Sequence, residues 1–233
     1  MCGIVGIVNY NENISNQYPI LRNMTQTLKK RGPDEEGLFF SKHVNLGHRR
    51  LNVIDIENGK QPMSFTYNEV TYTIVYNGQI YNTAELKEEL LKKGFTFKGH
   101  SDTEILLKSY LLYGKDICSH LNGIFAFAIY NDKTQEVFIA RDQFGIKPLY
   151  YSTIENNFIF ASEIKAILEH PNASAKLDKI GISELFGIGP SHTPGFTPFK
   201  DIFEFEPAHF IIINKDGFTK KEYWKIQTKP HTD

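Results

Sequence analysis

The sequence predicts an α+β protein in which β-sheets are stacked in layers and covered by helices. Most of the strand-like segments are apolar on both sides, so the sheets they form need cover on both faces. The helical segments come in clusters between groups of strands and do not alternate strictly with them. This order favours a layered sandwich of sheets over a doubly wound parallel sheet.

Seven segments predict strands, because they are rich in Val, Ile, Phe and Tyr and are bounded by Gly, Asn or Asp. They are Gly3–Val8, Glu36–Phe40, Val70–Tyr76, Ile124–Tyr130, Glu136–Ala140, Phe158–Ala161 and Phe210–Asn214. Between Gly187 and Pro207 the composition changes to Gly and Pro pairs that are typical of an ordered loop. Residues Gln227–Asp233 are polar and unpatterned, as at the start of a linker.

Four segments predict helices: Tyr18–Lys30, Thr83–Lys93, Asp102–Tyr113 and Glu163–Glu169. The second of these has the clearest boundaries. The Thr83 hydroxyl can cap its first turn, Glu85 and Lys92 suit the two ends of the helix dipole, and Gly94 stops it. We therefore expect the helices to lie outside the sheets as covering layers.

The charge balance excludes several classes of protein. The chain has 233 residues, and its 26 basic and 27 acidic residues leave a net charge of −1, too little to attract nucleic acid or an acidic membrane. Two cysteines cannot form a disulfide framework, and the eight histidines show no metal-ligand spacing. The apolar N-terminal stretch is too short for a signal peptide, and no apolar run is long enough to span a membrane. We expect a cytoplasmic protein without a metal ion.

Cys2 is informative because of its position. If Met1 is removed, Cys2 carries a thiol with a pKa near ~8.5 and an α-amine with a pKa near ~7.8, so the amine can take the thiol proton. This is the smallest form of the nucleophile-and-base pair. The alternative is a small buried residue at the start of a strand, which is common for a free cysteine.

Asn77 and Gly78 form a second candidate. An Asn-Gly pair after a strand is a common hairpin turn, which is the structural interpretation. The functional interpretation is an oxyanion hole, in which the Asn77 amide and the Gly78 N–H point to one place. Gly78 would then leave the backbone free to approach a substrate.

Two charged segments complete the candidate site. Adjacent arginines such as Arg49 and Arg50, which precede the apolar segment Leu51–Ile54, are usually solvated, but an inward Arg could clamp a carboxylate. Ser101-Asp102-Thr103-Glu104 fits a helix capping box, and Asp102 could also accept a ligand ammonium. A thiolate, an oxyanion hole, a carboxylate clamp and an ammonium acceptor together suit an α-amino acid with a side-chain carbonyl.

These motifs, in this order, resemble the class II glutamine amidotransferase domains, and most closely the glutaminase half of glutamine-hydrolysing asparagine synthetases. The resemblance covers nearly the whole chain, and five motifs in order are far more specific than any one of them. The five segments that carry the family resemblance are Met1–Gly6, Arg31–Gly37, His48–Ile54, Tyr76–Asn82 and Ser101–Glu104. Three more favour the asparagine synthetase branch: Arg141–Tyr151, Ala161–Ala166 and Pro198–Ile202.

The resemblance implies a four-layer α/β/β/α sandwich of the amino-terminal nucleophile hydrolase type. It implies that Cys2 forms a thioester with L-glutamine, that Asn77 and Gly78 hold the oxyanion, and that Arg50 and Asp102 bind the α-carboxylate and α-ammonium. Residues Leu51, Val53 and Ile54 would line the glutamine pocket. The Arg31–Gly37 turn is interpreted as scaffold near the site, and Cys118 as core.

The chain departs from the family pattern at Gln79, where these synthetases often have Glu. A neutral amide still accepts a hydrogen bond from the ammonium, but bonds without charge assistance are roughly half as strong. The second departure is the absence of the Ser-Gly-Gly-x-Asp-Ser loop with which the synthetase half binds ATP. Residues 1–213 are therefore predicted to be a glutaminase domain without a cofactor, and 214–233 its end and the start of a linker.

In a full-length protein the resemblance implies a carboxyl-terminal synthetase domain as partner, with ATP and Mg²⁺ bound there, and it leaves a homodimer open. Two other functions remain open: the nitrogen donor of another synthetase, and a non-catalytic relic that only binds glutamine. A relic is disfavoured because Cys2, Arg50, Asn77, Gly78 and Asp102 are all present. A peptidase with an amino-terminal nucleophile is disfavoured because Arg50 and Asp102 suit a free amino acid.

Overall fold

The computed structural model describes residues 1–189 and 193–228, which form two six-stranded antiparallel sheets with helices on their outer faces. The strands are β1 (Gly3–Val8), β2 (Glu35–Phe40), β3 (Val44–Arg50), β4 (Met63–Tyr67), β5 (Val70–Ile80), β6 (Gly123–Asn131), β7 (Val137–Arg141), β8 (Tyr150–Ile154), β9 (Asn157–Ala161), β10 (Ile202–Glu204), β11 (His209–Asn214) and β12 (Gly217–Glu222). The helices are α1 (Tyr18–Thr27), α2 (Thr83–Lys92), α3 (Asp102–Tyr113), α4 (Ile164–Leu168) and α5 (Lys179–Gly187), and 3₁₀ turns follow α1 and α3.

The layers follow the order α/β/β/α. The first sheet has the strand order β10-β8-β9-β1-β3-β2, and the second has the order β12-β11-β7-β6-β5-β4. One apolar cluster fills the space between the two sheets. A second lies between the first sheet and helices α1 and α4, and a third between the second sheet and helices α2 and α3. The predicted four-layer sandwich is confirmed.

Strand β1 shows why the strand segments are apolar on both sides. Ile4 and Val8 point into the space between the sheets, whereas Val5 and Ile7 point to the helical layer. Side chains alternate between the two faces of the sheet, and both faces are buried here. The strand therefore has no polar face. At Gly6 a Cβ atom would lie 2.3 Å from the ring of Phe160, so only glycine fits at this point of the inner layer.

The predicted helices are confirmed, with one wrong detail at the start of α2. Thr83 is its first helical residue, and Asn82 occupies the cap position without a capping hydrogen bond. The Asn82 side chain instead donates to the carbonyl oxygen of His120 and accepts from the backbone N–H of Asn122. It therefore ties the helix to the chain entering β6, a contact that local sequence cannot reveal.

The sequence interpretation missed strands β3, β4, β8, β10 and β12 and helix α5. The important error concerns β3, because Leu51–Ile54 was expected to be an apolar strand after solvated arginines. Those residues form a loop, and Arg49 and Arg50 are instead the last two residues of β3. Both arginines are buried, with exposed fractions of 5% and 4%. Each is buried because it is hydrogen-bonded to loops that cross the end of the first sheet.

The second sheet extends into residues 214–233, which the sequence predicts as the end of the domain and the start of a linker. Strand β12 pairs with β11, so the chain up to Glu222 belongs to the sandwich. The linker after it stays a prediction. Residues 190–192 of the predicted loop and 229–233 of the polar end lie outside the described residues. Across the described ranges, no helix is long and apolar enough to cross a membrane.

Candidate active site

A cavity of about 200 Å³ opens at one end of the sandwich, where the two sheets meet the loop after β3. All nine residues that the sequence singled out for the site line it: Cys2, Arg50, Leu51, Val53, Ile54, Asn77, Gly78, Gln79 and Asp102. The structure adds Met1, Gly59, Gln61, Tyr76, Ser101, Thr103 and Lys147 to the wall. The cavity is smaller than the roughly 300–1,000 Å³ pockets of drug-sized ligands, so it suits a single small molecule.

Cys2 directly precedes β1 in the first sheet. Because side chains alternate along a strand, Cys2 lies on the same side as Ile4, toward the second sheet. Its Sγ lies 3.8 Å from the carbonyl oxygen of Leu51, and its own carbonyl oxygen accepts a 2.9 Å hydrogen bond from Arg31 Nε. Burial raises the pKa of the Cys2 thiol, and the Leu51 contact, the terminal ammonium and Arg50 offset this only in part. The thiol therefore needs a base to become a nucleophile.

Asn77 lies inside β5, so the hairpin-turn interpretation of Asn77-Gly78 is wrong. The two residues pair with Ala126 and Phe125 of β6. The Asn77 side chain points, like that of Val75, into the space between the sheets where Cys2 also lies. Its Nδ2 is buried and has no hydrogen-bond partner among residues 1–189 and 193–228. A buried amide donor without a partner is rare in proteins and here lines the cavity.

The Gly78 N–H lies on the open edge of β5. Backbone groups of successive residues in a strand point to opposite edges. The N–H groups of Tyr76 and Ile80 donate to the side chains of Gln61 and Asp102, on the edge away from β6. The N–H of Gly78 faces the same edge, which borders the cavity. Asn77 and Gly78 thus provide two donors from neighbouring residues.

Glycine is needed at position 78 for a reason that the sequence interpretation did not foresee. A Cβ atom there would lie 2.4 Å from the carbonyl oxygen of Ile124 and 2.5 Å from the ring of Tyr76. Packing against β6 and Tyr76 therefore excludes a side chain, independently of any substrate.

Arg50 is largely engaged within the protein. Its Nη1 donates to Glu35 and to the carbonyl oxygen of Ile56, each over 2.9 Å. Its Nη2 donates to the carbonyl oxygens of Ile54 and Asp55, over 3.1 and 2.7 Å. A bidentate clamp from the two terminal nitrogens is therefore unavailable in this arrangement. Arg50 fixes the loop whose residues form one wall of the cavity.

Asp102 is the first residue of α3 and faces the cavity beside Tyr76. Its Oδ2 accepts a 2.8 Å hydrogen bond from the Tyr76 hydroxyl and a weaker one from the Ile80 N–H. Burial raises the pKa of Asp102, while these bonds and the backbone at the helix start act in the opposite direction. Ser101 caps α3 by accepting from the Thr103 N–H, so the cap is confirmed. The predicted capping box is wrong, because Glu104 accepts from the N–H groups before Ser101 and pairs with Lys108.

The Arg31–Gly37 turn lies next to the site as scaffold, but Arg31 contacts the backbone of Cys2 itself. Arg49 holds the turn, because its Nε donates to the carbonyl oxygen of Gly32 over 2.8 Å. Gly32 lies against this strand, since a Cβ atom would be 2.3 Å from the Arg49 carbonyl. Cys118 is 1% exposed in the outer core of the second sheet, as predicted.

Sequence reasoning missed Gln61 and Lys147. The Gln61 side chain accepts from the Tyr76 N–H over 2.6 Å and donates to the Thr103 hydroxyl over 3.2 Å, which links β5 to α3. Nothing in its local sequence signals this role. Lys147 belongs to the Arg141–Tyr151 segment, which was noted only as a resemblance and not for the chemistry of a lysine.

Comparison with known proteins shows the family of the chain. A family profile described as a glutamine amidotransferase domain matches residues 1–224. The glutamine-hydrolyzing asparagine synthetases 3 and 1 of Bacillus subtilis (strain 168) are 48% and 42% identical over 233 residues, which is 100% and 99% of this chain. The match spans only 38% and 36% of their own lengths.

The fold has solved counterparts. A structure described as the allosteric regulatory enzyme of purine biosynthesis superposes with a TM-score of 0.71 at 21% identity, covering 96% of this chain and 49% of the other. At that identity the likeness concerns the fold alone, and it agrees with the α/β/β/α layering.

Proposed function

The chain belongs to the class II glutamine amidotransferase domain family, and from that premise we propose that it hydrolyses L-glutamine to glutamate and ammonia. One observation carries the proposal: Cys2, the unpartnered Asn77 amide, the Gly78 N–H and Asp102 line one cavity. A buried thiol by itself is common. A thiol that shares a cavity with one backbone donor and one side-chain donor is arranged for acyl transfer.

The reaction begins once Met1 has been removed, which leaves Cys2 with a free α-amine. The amine takes the thiol proton, and the sulfur attacks the side-chain carbonyl carbon of glutamine. Asn77 Nδ2 and the Gly78 N–H stabilise the oxyanion. The protonated α-amine of Cys2 returns its proton to the leaving nitrogen. Ammonia departs, and a glutamyl thioester remains. The amine then deprotonates a water molecule, which attacks the thioester and releases glutamate and the thiol.

Recognition of the substrate uses the ends of the amino acid. Asp102 accepts hydrogen bonds from the α-ammonium, and Gln79 adds a neutral acceptor at the exposed rim. Arg50 binds the α-carboxylate through Nε, which makes no hydrogen bond to the described residues. Its two terminal nitrogens can bind the carboxylate only if they release the loop carbonyls. Leu51, Val53 and Ile54 form the wall along the aliphatic stem. These steps require no cofactor or metal ion.

In a longer protein we propose that the ammonia passes to a carboxyl-terminal synthetase domain that makes asparagine from aspartate and ATP, with Mg²⁺ bound there. The identity to asparagine synthetases and the partial coverage of their length support this assignment. A different acceptor remains the alternative, because the residues of the cavity determine the nitrogen donor and not its acceptor. Cytoplasmic location and a homodimer stay predictions.

The first test is the intact mass of the chain before and after exposure to a diazo-ketone analogue of glutamine. We expect loss of Met1 and a single adduct on Cys2, absent in Cys2→Ala and unchanged in Cys118→Ser, the matched control. Steady release of glutamate from glutamine should accompany it. A chain without Met1 that forms no adduct and releases no glutamate would overturn the proposal and favour a non-catalytic role.

A further inference from the structure

Lys147 is a buried cation that lies beside the amino terminus in space. The proposed reaction gives it no role. It is 8% exposed and lines the cavity together with Met1 and Cys2. Its Nζ lies 3.5 Å from the Met1 sulfur, so the ammonium reaches the segment that precedes the nucleophile. Among residues 1–189 and 193–228, no carboxylate forms an ion pair with it, whereas lysines that proteins bury are usually paired.

The loop around Lys147 fixes its position. The Asp142 carboxylate accepts hydrogen bonds from four backbone N–H groups, those of Phe125, Phe144, Ile146 and Lys147, over 2.9 to 3.2 Å. The carbonyl oxygen of Lys147 accepts a 2.7 Å bond from Arg141 Nε. The backbone of residue 147 is thus held from both sides, and Asp142 is engaged with amides rather than with the ammonium.

The charges around the terminus come from several elements. Arg31 binds the Cys2 carbonyl and pairs with Glu163 over 3.2 Å through Nη1. Its Nη2 is buried and has no partner among the described residues. Arg50 and Asp102 act on Cys2 from the opposite wall. Burial lowers the pKa of Lys147, Arg31 lowers it further, and Asp142 and Cys2 act in the opposite direction. Arg31 thus contacts the backbone of Cys2, and Lys147 contacts the side chain of the residue before it.

We propose that Lys147 is a positioning residue that keeps the Cys2 α-amine deprotonated after Met1 is removed. A cation close to an ammonium disfavours the charged form of both groups, and burial strengthens the repulsion. A free α-amine has a pKa near ~7.8 and is mostly protonated at pH 7, where it cannot accept the thiol proton. The Lys147 ammonium shifts this equilibrium toward the neutral amine that the reaction needs. The inference rests on the proposed function, because only that reaction uses the amine as a base.

The experiment titrates the amine directly. Chain grown with ¹³C-labelled cysteine carries two labelled residues, Cys2 and the buried Cys118, and loss of Met1 is checked by intact mass. The ¹³Cα shift of Cys2 reports the amine, its ¹³Cβ shift reports the thiol, and the Cys118 signals report an intact core. We expect Lys147→Met to raise the amine midpoint by about one pH unit, and Lys147→Arg, which keeps the charge, to leave it nearly unchanged.

Activity provides a second readout. In Lys147→Met, the acid limb of the kcat/KM profile for glutamine should shift to higher pH together with the amine midpoint. The kcat/KM should then be about fivefold lower at pH 7 and should recover near pH 9. A purely structural role would lower the rate by one factor at every pH. Equal amine midpoints in the wild-type chain and Lys147→Met would overturn the inference, whether or not glutamine is hydrolysed. Absence of hydrolysis by the wild-type chain would instead count against the proposed function.

Discussion

The Tyr76 hydroxyl donates a 2.8 Å hydrogen bond to Asp102 Oδ2 and thereby joins β5, the strand that carries Asn77 and Gly78, to the start of α3. Tyr76 and Asn77 are neighbours on β5 whose side chains point to opposite faces of the second sheet. One residue positions the carboxylate proposed to bind the ammonium, and the next provides the amide proposed to bind the oxyanion. The spacing between the group proposed to bind the ammonium and the group proposed to bind the oxyanion therefore depends on a single strand.

Tyr76→Phe removes a hydrogen bond to Asp102 without changing the packing of the ring. Loss of such a bond costs about 1 kcal/mol, so we expect the KM for glutamine to rise about fivefold with little change in kcat. Because that bond lowers the pKa of Asp102, the fall of kcat/KM on the acid side should also begin at a higher pH. Steady-state kinetics from pH 5 to 8 measure both effects. Tyr67→Phe, an exposed and distant tyrosine, is the control.

Asp102→Asn should weaken binding of the ammonium, because it replaces a charged acceptor by a neutral one of the same shape. Hydrogen bonds to charged groups contribute about 1.5–3 kcal/mol, so the KM should rise roughly 10- to 100-fold. Gln79→Glu should act in the opposite direction and lower the KM. An unchanged KM in Asp102→Asn would show that another group binds the ammonium.

Asn77→Ala tests the oxyanion hole. Removing one such donor typically costs about 10²–10³ in kcat, and the KM should change little because the oxyanion exists only in the transition state. Asn77 Nδ2 makes no hydrogen bond to the part of the chain that the structure describes, so its removal should leave the thermal midpoint of unfolding nearly unchanged. A large loss of stability together with normal kcat would contradict the assignment.

Arg50→Lys keeps the charge but loses the geometry that binds three consecutive carbonyl groups. We expect faster amide hydrogen exchange across residues 51–59 and a higher KM for glutamine. Arg22→Lys, whose side chain is 54% exposed, is the matched control and should change neither quantity. Unchanged exchange with a raised KM would mean that Arg50 acts on the substrate alone.

His48 predicts a pH dependence of stability. Burial lowers its pKa from 6.5 to about 3, while Nε2 contacts the carbonyl oxygen of Tyr76 over 3.1 Å. Between these values the unfolded chain binds a proton that the folded chain does not, so stability decreases as the pH falls below 6.5. At pH 5 this amounts to about 2 kcal/mol. Urea unfolding of the wild-type chain and His48→Gln at pH 7 and pH 5 should show a smaller decrease in the variant.

The order of the motifs allowed the sequence to predict the family, the layered fold and nine residues of the cavity wall. Motif chemistry is local: a cysteine after the initiator, an Asn-Gly pair and a capped helix each carry their meaning in a few neighbouring residues. Strands that are apolar on both faces predict buried sheets for the same reason, because burial of both faces favours apolar residues at every position of a strand.

Only the tertiary structure decided the contacts that Arg50, Gly78 and Lys147 make. The engagement of Arg50 depends on carbonyl groups of a loop whose path local sequence does not specify. The need for glycine at position 78 comes in part from a strand more than forty residues away, and the Lys147 ammonium contacts the sulfur of Met1. Steric exclusion and charge act through space, so residues distant in the chain determine them, and no periodicity or spacing records such contacts.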